Sequence, residues 1–147
     1  MPRYAILVKA SPTTEGKGTP SPATLTAIGK FNEEMNAAHV LLAGEGLRPT
    51  SAGYRVHFTA GADDIAVEAG PFDLAEQSTI SGWWVIRVKD AEEALGWAKR
   101  IPFRGTQNAE VEVRLVGEVD DYNMTEEQRE REEALRAKVR AAVEGKE

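Results

Sequence analysis

A chain of 147 residues is long enough for one domain with its own core, and 41% hydrophobic with 29% charged residues describes a globular protein. The formal charge of −6 speaks against general binding to nucleic acid or to an anionic membrane surface. Cysteine is absent and histidine occurs only at His39 and His57, which excludes disulfides and thiolate chemistry and argues against a structural zinc site.

No cofactor and no metal are expected. No apolar run approaches the roughly 20 residues that a membrane span needs, and the N-terminus enters a strand without a secretory leader, so a cytoplasmic protein with no membrane partner is expected.

Arg3 to Lys9 reads as a first strand. Ser11 to Pro22 gathers Pro, Gly, Ser and Thr and reads as an irregular connection whose composition would permit ordering over a ligand. Ser21-Pro22 starts a helix, with Ser as N-cap and Pro at the first helical position, where its missing N–H costs nothing. Leu25, Ile28, Phe31 or Asn32, Met35 and Ala38 form its apolar stripe, and it ends near Ala38-His39.

Val40 to Ala43 reads as a buried strand running into Gly44-Glu45-Gly46, where glycines permit a turn or a close backbone approach. Tyr54–Thr59 and Ile65–Glu68 alternate around the turn residues 60–63, a hairpin with Tyr54, Val56 and Phe58 on one face and Arg55 and His57 on the other. Trp83 to Val88 is the strongest strand. Asp90 with Glu93 makes a capping box for a helix carrying Ala91, Ala94, Leu95 and Ala98, stopped by Ile101-Pro102. Lys99-Arg100 with Arg104 is a cationic helix end, too small for a nucleic-acid footprint.

Ala109 to Val116 alternates as a half-buried strand, and Thr125 with Gln128 caps a long charged helix to about Glu144. Pairs such as Glu132–Arg136 are worth only a few tenths of a kcal/mol each, so the helix is expected to dock on the body or on a second subunit. The order of elements is that of an α+β, ferredoxin-like fold, with residues 1–118 as the domain and 119–147 as a helical extension. Helices on one sheet face leave the other open, and a second copy of the chain is the economical cover: a homodimer is expected.

The strand RYAILVKA, the segment FNEEMNAAHVLLAGEGLRPT, the loop AGPF at Ala69–Phe72 and SGWWVIRVKDAEEALGWAKRIP resemble the YCII-related family, in its DGPF branch, over roughly Arg3 to Val116. The resemblance implies a dimeric α/β barrel of two ferredoxin-like sheets packed face to face. It also implies an acid/base pair of His and Asp in the broader family. Here Thr24 stands in the stretch matching that His, and Ala69 replaces the DGPF aspartate, whose role would pass to Glu68 or Asp73. Members near this branch often lie beside sigma-factor genes, which implies a regulatory link.

The residues themselves nominate a site. Glu45 between two glycines is the candidate base, Arg48 or Lys9 the anion anchor, and His39 an accessory acid. Pro71 and Phe72 would shape the pocket with Asp73, and one of Trp83 and Trp84 would line a cleft while the other enters the core or a dimer interface. The plainer alternatives are a turn in which Glu45 and Arg48 pair or face solvent, a His39 that meets the last helical carbonyls, and a Gly70-Pro71-Phe72 loop that merely packs. His57 is expected at the surface or in an interface.

Three readings follow: a dimeric protein that binds a small organic molecule, with metal-independent, lyase-like acid/base chemistry; a non-catalytic regulatory module whose C-terminal helix meets a protein partner, linked to sigma-factor-dependent transcription; or a stable dimer whose ligand has been lost.

Overall fold

The structure, a computed structural model, describes residues 1–16, 20–61, 63–103 and 109–145. It has two compact units, Met1–Leu115 and Val116–Glu147. In the first, strand β5 (Ile80–Arg87) lies between β1 (Arg3–Lys9) and β2 (Leu41–Gly46), and β6 (Val111–Leu115) pairs with the outer edge of β1. The sheet order β2-β5-β1-β6 is antiparallel throughout and is the ferredoxin-like arrangement. A separate two-stranded sheet pairs β3 (Tyr54–Phe58) with β4 (Ile65–Ala69), the hairpin that the alternation predicts.

Alternation along the central strands sets the core. Ile6 and Val8 on β1 and Trp84 and Ile86 on β5, followed by Val88, point to one face. There they meet Phe31 and Met35 of α2 (Pro22–Ala37) and Ala94 of α3 (Ala91–Lys99), with Val40 and Ile101 closing the cluster. The Phe31 ring stands edge-on to both Trp84 and Trp97, with centroids 5.8 and 6.2 Å away. The opposite face carries the cross-strand pairs Ala5↔Val85 and Leu7↔Trp83, all half-buried.

Ser21 caps α2 as expected, its Oγ accepting from the Thr24 N–H, and the helix ends where His39 takes the left-handed conformation at φ 58°. Several local readings change: β5 begins at Ile80 and not at Trp83, and β2, expected as buried, is exposed from Leu42 on. The connection after β1 contains a short helix, α1 (Pro12–Glu15), capped by Ser11 and Thr14; residues 17–19 of that connection, Ala62 in the hairpin turn and Arg104 lie outside the described residues. Strand β2 does not stop at Ala43 but continues through the Gly44-Glu45-Gly46 segment. Asp90 caps α3, yet Glu93 closes back on the N–H of Lys89 at 2.8 Å and not on that of Asp90. The last strand is shorter, Val111–Leu115 in place of Ala109–Val116.

The second unit holds α4 (Glu126–Glu144), with the expected Thr125–Gln128 capping box in full. Arg136 bonds Glu132 at 2.8 Å and Glu118 at 3.1 Å. Leu135, Val139 and Val143 recur every four residues and are each more than half exposed. Among the described residues no helix is long and apolar enough to cross a membrane.

Candidate functional site

The Gly44-Glu45-Gly46 segment is extended strand, and its first glycine is required by packing. A Cβ on Gly44 would stand 2.5 Å from Cδ1 of Trp84, so the indole lies flush against bare backbone. The Trp84 Nε1–H donates to Asn32 Oδ1 of α2 at 2.9 Å, which satisfies the one polar atom of a nearly buried ring. Gly82 on the next strand likewise lets β2 approach, since a Cβ there would meet the Glu45 carbonyl at 2.9 Å.

These contacts form one wall of a cavity of about 940 Å³ at the end of the sheet where β1 and β2 finish and β5 begins. Val8, Ile28, Trp83, Trp84 and Phe103 supply apolar surface. Ser11, Thr13, Ser21, Thr24, Ser78 and Ser81 bring hydroxyls, and Lys9, Glu45 and Glu110 bring charge. An apolar chamber with a few convergent polar groups is the usual form of a small-molecule site.

Three of the residues nominated from sequence therefore meet here: Glu45, Lys9 and Trp83. Glu45 and Trp83 are direct cross-strand partners. The Glu45 carboxylate has no hydrogen bond or ion pair among the described residues, so the expected alternative of a Glu45–Arg48 pair is not formed. The Lys9 ammonium is held by Glu112 Oε2 at 3.2 Å and Ser78 Oγ at 3.3 Å. Hydrogen bonds from Arg114, and then from Lys9, hold the Glu112 carboxyl below its ordinary pKa.

The other nominees lie elsewhere. His39 follows the C-terminus of α2, whereas Thr24 of its first turn lines the cavity; the 16-residue helix puts about 24 Å between its two ends at 1.5 Å per residue. Arg48, Pro71, Phe72 and Asp73 are not part of the cavity wall. Phe72 donates its N–H to Thr50 Oγ1 at 2.9 Å and lies under the Arg55 guanidinium, 3.8 Å from the ring centroid. Thr50, nearly buried, donates its own N–H to Glu15 Oε1 at 3.0 Å and its hydroxyl to Glu15 Oε2. Gly70 fits only without a side chain, because a Cβ would stand 1.7 Å from the Thr50 carbonyl oxygen. Asp73 accepts the Ala75 N–H at 2.9 Å and closes its own turn.

His57 bonds Glu68 Oε2 at 2.9 Å on the half-exposed polar face of the hairpin. Among the described residues no three His, Asp or Glu side chains gather as a metal ion would require.

Sequence reasoning passed over Asn32, which anchors Trp84, and the hydroxyls of the α1 and α2 caps, Ser11 and Ser21. The repeated Ser-Pro pair at Ser11-Pro12 and Ser21-Pro22 was the available signal, since both pairs start helices whose first turns face the same chamber.

The chain matches the YCII-related domain over residues 2–120. It belongs to the YCII-related family. The match takes in the whole sheet, its helices and the cavity, and the long helix α4 lies outside the matched residues. No curated protein is similar enough to this YCII-related chain to count as a relative. Thr24, in the stretch that resembles the family's histidine position, faces the cavity with its hydroxyl 3.0 Å from that of Ser21.

Proposed function

We propose that this YCII-related protein is a homodimeric small-molecule-binding protein that holds its ligand in the cavity at the sheet end, against Glu45 and Trp83. The observation that carries the reading is the Glu45 carboxylate, without a partner among the described residues, beside Trp83 at the mouth of a cavity of about 940 Å³. Glu45 is exposed on the Trp83 side of its strand, at the rim of the cavity, where the polar end of a ligand would meet it.

Binding is favoured over lyase-like acid/base chemistry. Glu45 would serve as a base, but the accessory acid His39 lies beyond the far end of α2, and Thr24 offers a hydroxyl that does not titrate near neutral pH. The dimer would form through the half-buried sheet face of Ala5, Leu7 and Val85, two such faces closing the α/β barrel with Glu45 and Trp83 at the end of the interface, where the ligand would lie. A second role as an interaction module is favoured by one feature, the exposed stripe Leu135, Val139 and Val143 on α4, which suits a protein partner.

Native mass spectrometry of the protein as purified tests the first reading. The expected spectrum is a dimer carrying a small-molecule adduct, with Glu45→Ala keeping the dimer and losing the adduct. An adduct that persists in Glu45→Ala removes Glu45 from the site.

A further inference from the structure

We infer that the β3–β4 hairpin is a dimerisation arm whose apolar face is covered by a second copy of this chain; this rests on the homodimer reading and names the surface that supplies most of its interface. The hairpin is an excursion between two neighbouring strands. β2 stays paired with β5 to its last residue, Gly46 opposite Gly82, and the Leu47 N–H still bonds the Ser81 carbonyl at 2.8 Å. The chain then leaves the sheet, runs out along β3 and returns along β4 before β5 begins. The arm therefore springs from the sheet end that carries Glu45 and Trp83.

Its two faces differ. On one, Arg55 bonds Gln77 and covers the Phe72 ring, and His57 bonds Glu68 of the facing strand, so the charges are met within the chain. The base is closed by the Gly70 N–H, which bonds the Gly53 carbonyl at 2.9 Å. The other face sets Tyr54, Val56 and Phe58 opposite Ala69, Val67 and Ile65 and carries no charged side chain. Within one chain it lies open: Tyr54 is 73% and Phe58 77% exposed, and Val56, Ile65 and Val67 are each more than half exposed. A two-stranded hairpin is marginal by itself and gains stability when such a face is packed against something.

Area decides what packs there. The exposed side chains of this face leave roughly 500 Å² open, the size of the largest apolar patch on an ordinary monomer. A stable protein interface takes about 800 Å² from each partner. The sheet face of Ala5, Leu7 and Val85 is already half-buried within one chain and falls short of that alone; with the arm added, the two together approach it. A lipid surface fits less well, because exposed Asp63 and Asp64 stand at the tip of the arm and the chain carries a net charge of −6.

The chain has no cysteine, so one placed on the arm is a specific probe. Full-length Val67→Cys is labelled with a maleimide over a dilution series that spans dissociation of the dimer, followed by sedimentation velocity. The expected result is a thiol that reacts at least about tenfold more slowly in the dimer range than in the monomer range. Phe58→Glu, whose side chain stands in water in the single chain, should keep the wild-type circular dichroism and weaken the dimer about 100-fold.

A Val67→Cys thiol that reacts at one rate in dimer and monomer would overturn the arm inference while the homodimer stood, and a slow common rate would mean that the chain covers this face itself. A Phe58→Glu dimer as tight as the wild type would overturn it as well. A wild-type protein that stays monomeric at every concentration would overturn both readings.

Discussion

The two glycine-bearing segments Gly44-Glu45-Gly46 and Gly70-Pro71-Phe72 look alike as sequence, each a short loop-like motif beside an acidic residue, and both suggest pocket walls. In the structure they differ in what they leave unsatisfied. Around Gly70, Thr50 bonds both Glu15 and Phe72, Arg55 covers the Phe72 ring, and Asp73 caps its own turn. Around Gly44, the packing of Trp84 and Asn32 is equally close, but the Glu45 carboxylate next to it has no hydrogen bond or ion pair among the described residues. A joint consumes its polar groups internally; a site keeps one in reserve for a ligand. The first segment is a structural joint and the second borders the candidate site.

That contrast breaks first at Gly70. Gly70→Ala forces a methyl against backbone and should cost about 3 kcal/mol, lowering the thermal midpoint by roughly 6–12 °C in a calorimetric scan. Thr50→Val keeps the shape but strips the hydroxyl from Phe72 and Glu15, an expected loss of roughly 1–3 kcal/mol by urea unfolding with no change at the Glu45 cavity. If instead Thr50→Val abolished ligand binding, the joint would be part of the site.

Gly44→Ala should cost about 1–2 kcal/mol, because the obstructing atoms belong to a side chain that can shift, and should disturb the cavity wall. Loss of the Trp84 to Asn32 bond would appear as a moved indole N–H resonance.

The smallest effect is electrostatic. The Glu112 pKa is lowered from its ordinary 4.5, first by Arg114 and then by Lys9, so its contribution to stability is present above the unfolded value and lost as pH falls through the lower folded one. Wild type and Glu112→Gln should therefore converge in stability as the pH is taken below 4.5; an unchanged difference across that window would show that the charge on Glu112, held by Arg114 and Lys9, adds nothing.

Most of the scaffold was legible because its signals are local. Trp83 to Val88 alternates on a central strand, and Ser21-Pro22, Asp90 and Thr125 cap helices at the residues where hydroxyl or carboxylate precedes an apolar stripe. The candidate site was less legible, because its geometry is made by distant pairings. Glu45 was nominated for its glycine neighbours, yet what places it beside Trp83 is the register of β2 on β5, including an irregularity between Leu41 and Ala43 that no period reveals.

Lys9 read as a free anion anchor because Glu112 is about a hundred residues away in sequence, on the strand that pairs beside it. His39 read as an accessory acid because His is the usual proton-transfer group near neutral pH; a strand running away from the helix end separates it from Glu45. Glu15 and Thr50 are 35 residues apart, and nothing in either segment announces that they meet.

The most direct test of the distinction between joint and site is a crystal structure of the protein as purified, with attention to non-protein density. The account predicts density in the chamber between Glu45 and Trp83, with the Phe72 loop packed on Thr50 and nothing bound there. Density enclosed by Phe72, Arg48 and Asp73, or a sheet-end chamber filled by the protein's own side chains, would contradict it.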